Sequence, residues 1–394
     1  MTDIDLTEYV PGESSQPPTH KRGLKEKLTH IRQRIALYLV DPKKRLLVLS
    51  VFGLVTIALF AVGLYFMTRD VAVKTDEIKV EKPATIVASG NDQAPLDGVM
   101  TSAEAASRHP LAVIVENHPD ARPQAGLDKA SIVYEAIAEG GITRFMAIYG
   151  TEEAEKVGPV RSVRTYFIDW ASGYNAYLSH VGGNIDALDQ IKAEKSLDLD
   201  QFTYPSSYWR DRNRSVASEH TMYTSTTKLR EQAKTNGYST ANNFNVFKFK
   251  DDPTAAEQDA LPQSQKAKIN FSSAQYAIEF DYDRETNSYK RKMAGSVHTD
   301  QITKNQITAK NIVAMTVDRR ATVTRINEPG WDMDIVGGGK AKIFLDGKMI
   351  EGTWKKASKA DRELFYDESG NEIIFNRGRF WIAVVPPDGT ATAE

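Results

Sequence analysis

A long, predominantly apolar run without charged residues lies near the beginning of the chain. LLVLSVFGLVTIALFAVGLYFMT, residues 46–68, carries no charged side chain between Arg45 and Arg69. As a helix this run spans roughly 34 Å, enough to cross a hydrocarbon layer of about 30 Å. Apolar residues on every face are typical of a membrane span rather than of a core helix. The pattern therefore predicts one transmembrane helix, retained as a signal anchor, over residues 46–68.

The charges that flank this run predict its orientation. Residues 20–45 contain nine lysines and arginines, whereas Arg69 is followed at once by Asp70. Excess basic charge stays on the cytoplasmic side of a membrane. We therefore expect a single-pass protein of the cytoplasmic membrane, with a basic cytoplasmic arm over residues 1–45 and the C-terminal domains outside. Residues 24–40 of the arm fit an amphipathic helix on the inner membrane surface and a simple stop-transfer charge cluster equally well.

Beyond a polar spacer over residues 69–94, apolar runs alternate with amphipathic segments as far as residue 250. Strand-like runs occupy residues 111–117, 131–139, 143–150 and 177–181. Gly140-Gly141 predicts a hairpin turn between the second and third of them. Helices are predicted from Pro159, after Gly183 and over about residues 225–236. Strands mixed with helices indicate a layered α/β or α+β domain over residues 95–250.

The pattern changes after residues 251–268, which we interpret as a linker because they contain two prolines and little apolar material. Short apolar runs separated by turn residues follow as far as residue 390. Asp346-Gly347 lies between two of these runs and is a strong signal for a two-residue hairpin. The C-terminal part, residues 269–390, is therefore predicted to be mainly antiparallel sheet.

Several of these stretches resemble the YerB-like family of bacterial envelope proteins, a domain of unknown function with N-terminal and C-terminal regions. The resemblance is carried by ARPQAGL, EGGITRF, GPVRSVR and HVGGN, in that order, and by DGKMIEGTW and FNRGRFWIAVVP near the end of the chain. It implies an exported, membrane-attached protein of mixed α+β class, a layered ββα-type sandwich without an assigned reaction. Members are often lipoproteins, whereas this chain has no cysteine and uses a predicted membrane span instead.

Composition narrows the chemistry. The net charge of −2 gives no electrostatic reason to expect binding to nucleic acid. The absence of cysteine excludes disulfides, thiolate metal sites and a cysteine nucleophile. No short metal-ligand motif and no serine nucleophile elbow is present. We therefore expect no metal site and no cofactor, although Glu116, His118, His180, Asp186 and His220 have suitable donor atoms.

The most informative candidates are Arg161 and Arg164, which follow Gly158-Pro159 at a predicted helix start. Two explanations stay open: internal ion pairs, with Glu135 or Glu139 as partners, or a bound anion held by helix amides and both guanidinium groups. Other candidate ligand-binding residues lie at strand ends or in an arginine-rich loop: Glu116, His180, Gly182, Gly183, Asn184 and Arg212. Candidate acid–base residues are Asp169, Glu219 and His220.

These candidates favour an extracytoplasmic binding module. Its partners would be the lipid bilayer and an anionic envelope ligand or an envelope protein, recognised through an arginine-lined site. Two alternatives remain at this point: a hydrolase or transferase acting on a cell-wall glycan or a phosphodiester, and a scaffold of a membrane complex. Whether the chain is an enzyme is left open by its sequence.

Overall fold

A computed structural model of the protein describes residues 92–263 and 265–394. The predicted cytoplasmic arm and span, residues 1–68, and most of the predicted spacer lie outside the described residues. Within those residues, no helix combines the length and the apolar character needed to cross a bilayer. The transmembrane helix and the topology it implies therefore stay predictions.

Four strands of the first region, β3 to β6, form where apolar runs predict them, and the other strands of the region, each two or three residues long, were not predicted. β3 and β4 are buried at every position and apolar at all but one, Glu116 and Glu135 respectively, as expected of strands that are covered on both faces. In chain order the strands are β1 (Asp92–Gln93), β2 (Met100–Thr101), β3 (Leu111–Glu116), β4 (Ile132–Ile137), β5 (Thr143–Tyr149), β6 (Tyr177–His180), β7 (Asp198–Asp200), β8 (Tyr208–Arg210), β9 (Met222–Thr224) and β10 (Lys248–Lys250).

Every α-helix of the described residues except Thr165–Ser172 begins at a side-chain cap. The Asn184 side chain accepts from the Ala187 amide at 3.1 Å, and the Ser225 hydroxyl accepts from the Lys228 amide at 3.3 Å. These caps explain why the two helices that were predicted after Gly183 and over residues 225–236 begin where they do. The α-helices are α1 (Ala103–Ala106), α2 (Thr165–Ser172), α3 (Ile185–Glu194), α4 (Thr226–Thr235) and α5 (Ala255–Asp259).

The second region consists of strands, as its turn-punctuated pattern predicts. Asp346 and Gly347 both have positive φ angles, 54° and 65°, and join a long hairpin of the kind that this dipeptide favours. The strands are β11 (Lys266–Asn270), β12 (Ile278–Asp283), β13 (Ser288–Met293), β14 (Ser296–Val297), β15 (Thr308–Ala309), β16 (Asn311–Thr316), β17 (Arg319–Val323), β18 (Pro329–Met333), β19 (Gly337–Leu345), β20 (Lys348–Lys356), β21 (Leu364–Asp367), β22 (Ile374–Asn376), β23 (Phe380–Val385) and β24 (Thr390–Ala393).

One ten-stranded mixed sheet joins the two regions. Its order is β21-β20-β19-β16-β23-β4-β5-β3-β6-β7, and the junction is the parallel pairing of β23 with β4, in which Phe380 faces Ile132. A second sheet has the order β14-β13-β12-β11-β24, with β15 added beside β13. The parallel pairing of β3 with β6 brings the carboxyl ends of these two strands to the same edge.

Both faces of the ten-stranded sheet are covered. On one face, Ile114 belongs to an apolar cluster with Phe167 and Trp170 of α2. On the other face, Val113 belongs to a cluster with Phe280 and Tyr289 of the second sheet. The result is a helix layer, a central sheet and a second sheet, which confirms a mixed α+β fold with a β-rich C-terminal part.

Candidate functional site

The segment Gly158–Arg164 runs extended past the carboxyl ends of β3 and β6. The Glu116 amide donates to the Pro159 carbonyl at 2.8 Å, and the Arg161 amide donates to the Ile114 carbonyl at 2.9 Å. On the β6 side, the Val181 amide donates to the Arg161 carbonyl at 3.1 Å. Arg161 is therefore fixed by its backbone between the two strand ends.

The predicted helix start at Pro159 is wrong, because α2 begins only at Thr165 and Arg164 occupies its N-cap position. Tertiary hydrogen bonds explain why this segment is extended instead of helical. Neighbouring strands and loops take most of the backbone hydrogen bonds of residues 158–163, and the first carbonyl that accepts helical hydrogen bonds is that of Arg164. Arg161 and Arg164 consequently do not share one helix face, and their side chains meet different carboxylates.

Arg164 is fully engaged inside the protein. Its Nη2 donates to Glu139 Oε2 at 2.8 Å, its Nε pairs with the other Glu139 oxygen, and its Nη1 donates to the Val163 carbonyl at 2.7 Å. Burial alone would raise the pKa of Glu139, but the hydrogen bonds and the charge of Arg164 lower it below the ordinary value. For Arg164 the internal ion pair is therefore present, and a role in ligand binding stays a prediction.

Arg161 pairs with a carboxylate that it shares with a histidine. Its Nε lies 3.1 Å from Glu116 Oε1, and Nδ1 of His220 lies 2.9 Å from Glu116 Oε2. The ring of His118 stacks on that of His220, with centroids 4.8 Å apart and planes 7° apart. Asp120 lies beside His118, 3.7 Å from its Nδ1. We call Glu116, His118, Asp120, Arg161 and His220 the His220 cluster.

Each member of the His220 cluster is positioned by a local element. Glu116 ends β3, and His118 caps the short helical turn Pro119–Ala121 by accepting from the Asp120 amide at 3.2 Å. His220 ends a second turn, Ser218–His220, directly before β9. The Val160 amide donates to the Met222 carbonyl at 2.7 Å, which ties β9 to the extended segment. Three separate stretches of sequence thus meet at one edge of the central sheet.

The exposure of the side chains in the His220 cluster increases from the inner to the outer residues. The Glu116 and His220 side chains are 5% and 8% exposed, those of Arg161 and His118 about a third exposed, and that of Asp120 60% exposed. Glu116 joins Arg161 to His220 through separate oxygens. Within the described residues, Arg161 makes no side-chain hydrogen bond through its two terminal nitrogens, so these donors remain available to a ligand.

The His180 turn is a separate, internally satisfied arrangement. His180 is completely buried; its Nε2 faces Asp198 Oδ1 at 2.9 Å and its Nδ1 faces the Gly182 carbonyl at 2.8 Å. The Gly182 amide donates to Asp200 Oδ1 at 2.8 Å, and Asn184 is used as the cap of α3. A Cβ on Gly183 would lie only 2.9 Å from a side-chain carbon of Val163. Protein atoms therefore already occupy the polar groups of this turn, and their role as ligands stays a prediction.

The remaining candidates have different surroundings. Asp169 lies on α2, where its Oδ1 accepts from Gln190 at 2.6 Å and from Lys359 at 3.2 Å; burial raises its pKa. Glu219 precedes His220 in the turn and is exposed. Arg212 is also exposed and forms no ion pair with any residue that the structure describes. His220 is thus the acid–base candidate that lies within the His220 cluster.

Behind the His220 cluster lies a buried polar network that the sequence did not predict. Gln124 donates to the Glu116 carbonyl at 3.0 Å and to Asn117 Oδ1 at 2.9 Å. Nε2 of His298, in the second region, lies 2.9 Å from Gln124 Oε1. Arg291 pairs with Glu135 at 2.9 Å, and both side chains are completely buried. The two regions of the chain therefore support the His220 cluster together.

Comparison with known proteins gives consistent matches over both regions. Residues 96–239 match the family described as protein of unknown function (DUF3048), N-terminal domain, and residues 267–382 match its C-terminal domain. The chain is 32% identical over 301 residues to a Bacillus subtilis (strain 168) protein named "Putative lipoprotein YerB", covering 75% of this chain and 86% of the relative. The crystal structure of YerB from Bacillus subtilis is similar, with a TM-score of 0.67 at 30% identity, over 77% of this chain and all of that one.

Proposed function

Because this chain belongs to the DUF3048 family, as its resemblance to YerB-like proteins led us to expect, we propose that it is a membrane-attached protein of the bacterial cell envelope that binds an anionic ligand at the His220 cluster. The name of the relative supports the location, since a lipoprotein is attached to a membrane. This chain has no cysteine to carry a lipid, so residues 46–68 would provide the attachment, with the C-terminal domains outside.

The observation that carries the binding site is the unequal use of the two arginines. All three guanidinium nitrogens of Arg164 donate hydrogen bonds within the protein, two of them to Glu139 and one to the Val163 carbonyl. Arg161 uses only its Nε toward Glu116 and is about a third exposed. A guanidinium with free terminal nitrogens binds carboxylate and phosphate oxygens through paired hydrogen bonds.

The phosphate-bearing polymers and carboxylates of a cell envelope fit these donors. The proposal is tested with inorganic phosphate and glycerol phosphate as probes, by calorimetric titration of the purified full-length chain in detergent. Arg161→Ala should weaken binding about tenfold or more, because a hydrogen bond to a charged group contributes about 1.5–3 kcal/mol. Arg212→Ala is the matched control, because Arg212 is an exposed arginine that lies outside the His220 cluster.

Equal affinity of the wild type and Arg161→Ala, or an equal loss in Arg212→Ala, would contradict this site. The His220–Glu116 distance of 2.9 Å also favours a second candidate, an acid–base hydrolase, because a carboxylate that orients a histidine is a common general-base arrangement. Turnover of a chromogenic phosphodiester by the wild type and its loss in His220→Asn would favour the hydrolase. Binding without turnover would favour the binding module.

A further inference from the structure

The His220 cluster contains three potential metal ligands that the sequence keeps far apart. His118, Asp120 and His220 each offer one donor atom, and these atoms lie within 4.8 Å of one another. We propose that the three side chains bind a divalent transition metal ion, with zinc as the best fit. Sequence spacing predicted no such site, because the third ligand comes from a turn that follows the first two by about 100 residues.

The orientation of His220 is the first support. Its Nδ1 is held by Glu116 at 2.9 Å, so its Nε2 is the nitrogen that remains for a metal. Histidine ligands of metals are commonly fixed in this way, with the second ring nitrogen bound to a carboxylate that orients the ring and raises its basicity. Glu116 is itself fixed, because Arg161 binds its other oxygen. Glu116 is therefore a positioning residue for this site.

The type and spacing of the donors are the second support. Two imidazole nitrogens and one carboxylate oxygen suit zinc, and three protein ligands with one open position are typical of zinc sites that take an exogenous ligand. Ligands about 2.1 Å from a tetrahedral ion lie roughly 3.4 Å from one another. A metal ion lies in the plane of each imidazole that binds it, so binding would turn the His118 ring out of its stack on His220. His118 and Asp120 lie on the exposed side of the cluster and can move, whereas His220 is buried.

The metal site deepens the proposed function and rests on the same cluster. An anion would complete the coordination at the open position while Arg161 binds its remaining oxygens. The metal site and the anion site can be tested separately, since zinc binding requires no anion. Arg161 contributes no ligand to the metal, so Arg161→Ala should retain most of the zinc affinity even where it loses phosphate.

The test is titration of zinc alone into the full-length chain, purified without a histidine tag and stripped of metal with a chelator. We expect one site in the wild type. Glu116→Gln should weaken it about 10–100-fold, while His118→Ala and Asp120→Ala, which remove ligands from the exposed side of the cluster, should weaken it more. Circular dichroism shows whether each variant is folded.

Zinc affinity that is unchanged in both His118→Ala and Asp120→Ala, or a wild type without zinc binding, would overturn the metal site. Phosphate binding that persists in excess chelator would leave the anion proposal intact and remove the metal from it. Zinc binding without phosphate binding would do the reverse. A crystal grown with zinc, with an anomalous peak between His118 and His220, would place the ion directly.

Discussion

The buried histidine His298 makes a definite prediction about acid stability. It is 4% exposed, receives a hydrogen bond from Arg291 at its Nδ1, and donates from Nε2 to Gln124. Arginine cannot accept a proton, so Nδ1 of His298 must be unprotonated. Burial and then the charges of Arg291 and Arg122 hold the pKa of His298 well below its ordinary value of 6.5.

The magnitude follows from linkage between protonation and folding. Below pH 6.5 the unfolded chain binds a proton at His298 and the folded chain does not, so acid favours unfolding. Each pH unit below the unfolded pKa lowers the free energy of unfolding by about 1.4 kcal/mol. Between pH 6.5 and 5 the contribution of His298 should therefore fall by roughly 1.5–2 kcal/mol. Above pH 6.5 it should be constant.

The assay is urea unfolding, followed by tryptophan fluorescence at a series of pH values from 8 to 5. His298→Asn keeps an acceptor for Arg291 but cannot titrate, so it should be less stable than the wild type at pH 8 and should lose stability less steeply below pH 6.5. Gln124→Met is the matched control, because it removes the hydrogen bond to His298 and keeps the titrating ring. Its curve should run parallel to that of the wild type. Parallel curves for His298→Asn and the wild type would refute the reasoning.

Two further predictions concern the core and the membrane. Glu135→Gln leaves the completely buried Arg291 without its carboxylate, and the free energy of unfolding should fall by about 3–5 kcal/mol. Lys342→Ala, which breaks an exposed pair with Glu351, should cost under about 1 kcal/mol in the same urea assay; equal losses would contradict the argument. Deletion of residues 46–68 should release the chain from membranes washed with carbonate, and a chain that stays bound would show that this run is not the anchor.

Strands could be predicted from the sequence because their signal is local. The runs that became β3, β4, β5 and β6 are apolar at nearly every position, and turn residues bound them. The Asp346-Gly347 turn specifies its own hairpin for the same reason. Local sequence patterns could not predict the order of these strands in the sheet. The parallel pairing of β23 with β4 joins positions about 250 residues apart, and nothing local encodes it.

The helix that was predicted from Pro159 shows the opposite case. Val160, Val163 and Phe167 have helical spacing, but Val160 and Val163 are buried through extended backbone that pairs with Met222 and Gly182. Tertiary hydrogen bonds override a periodicity of only two turns. Asp120 was missed because the ring of His220, which completes the group, comes from another turn about 100 residues away in the sequence.

The two arginines of GPVRSVR could be identified as candidates from the sequence, but their different partners could not be predicted. They are chemically identical and three residues apart, so pattern alone gives them equal weight. In the structure the two arginines differ in the carboxylate with which each one pairs. Glu139 takes Arg164 with both oxygens, whereas Glu116 divides its oxygens between Arg161 and His220. Among the described residues, this division leaves the terminal nitrogens of Arg161 and Nε2 of His220 without a side-chain partner, and for that reason we propose the ligand site here rather than at Arg164.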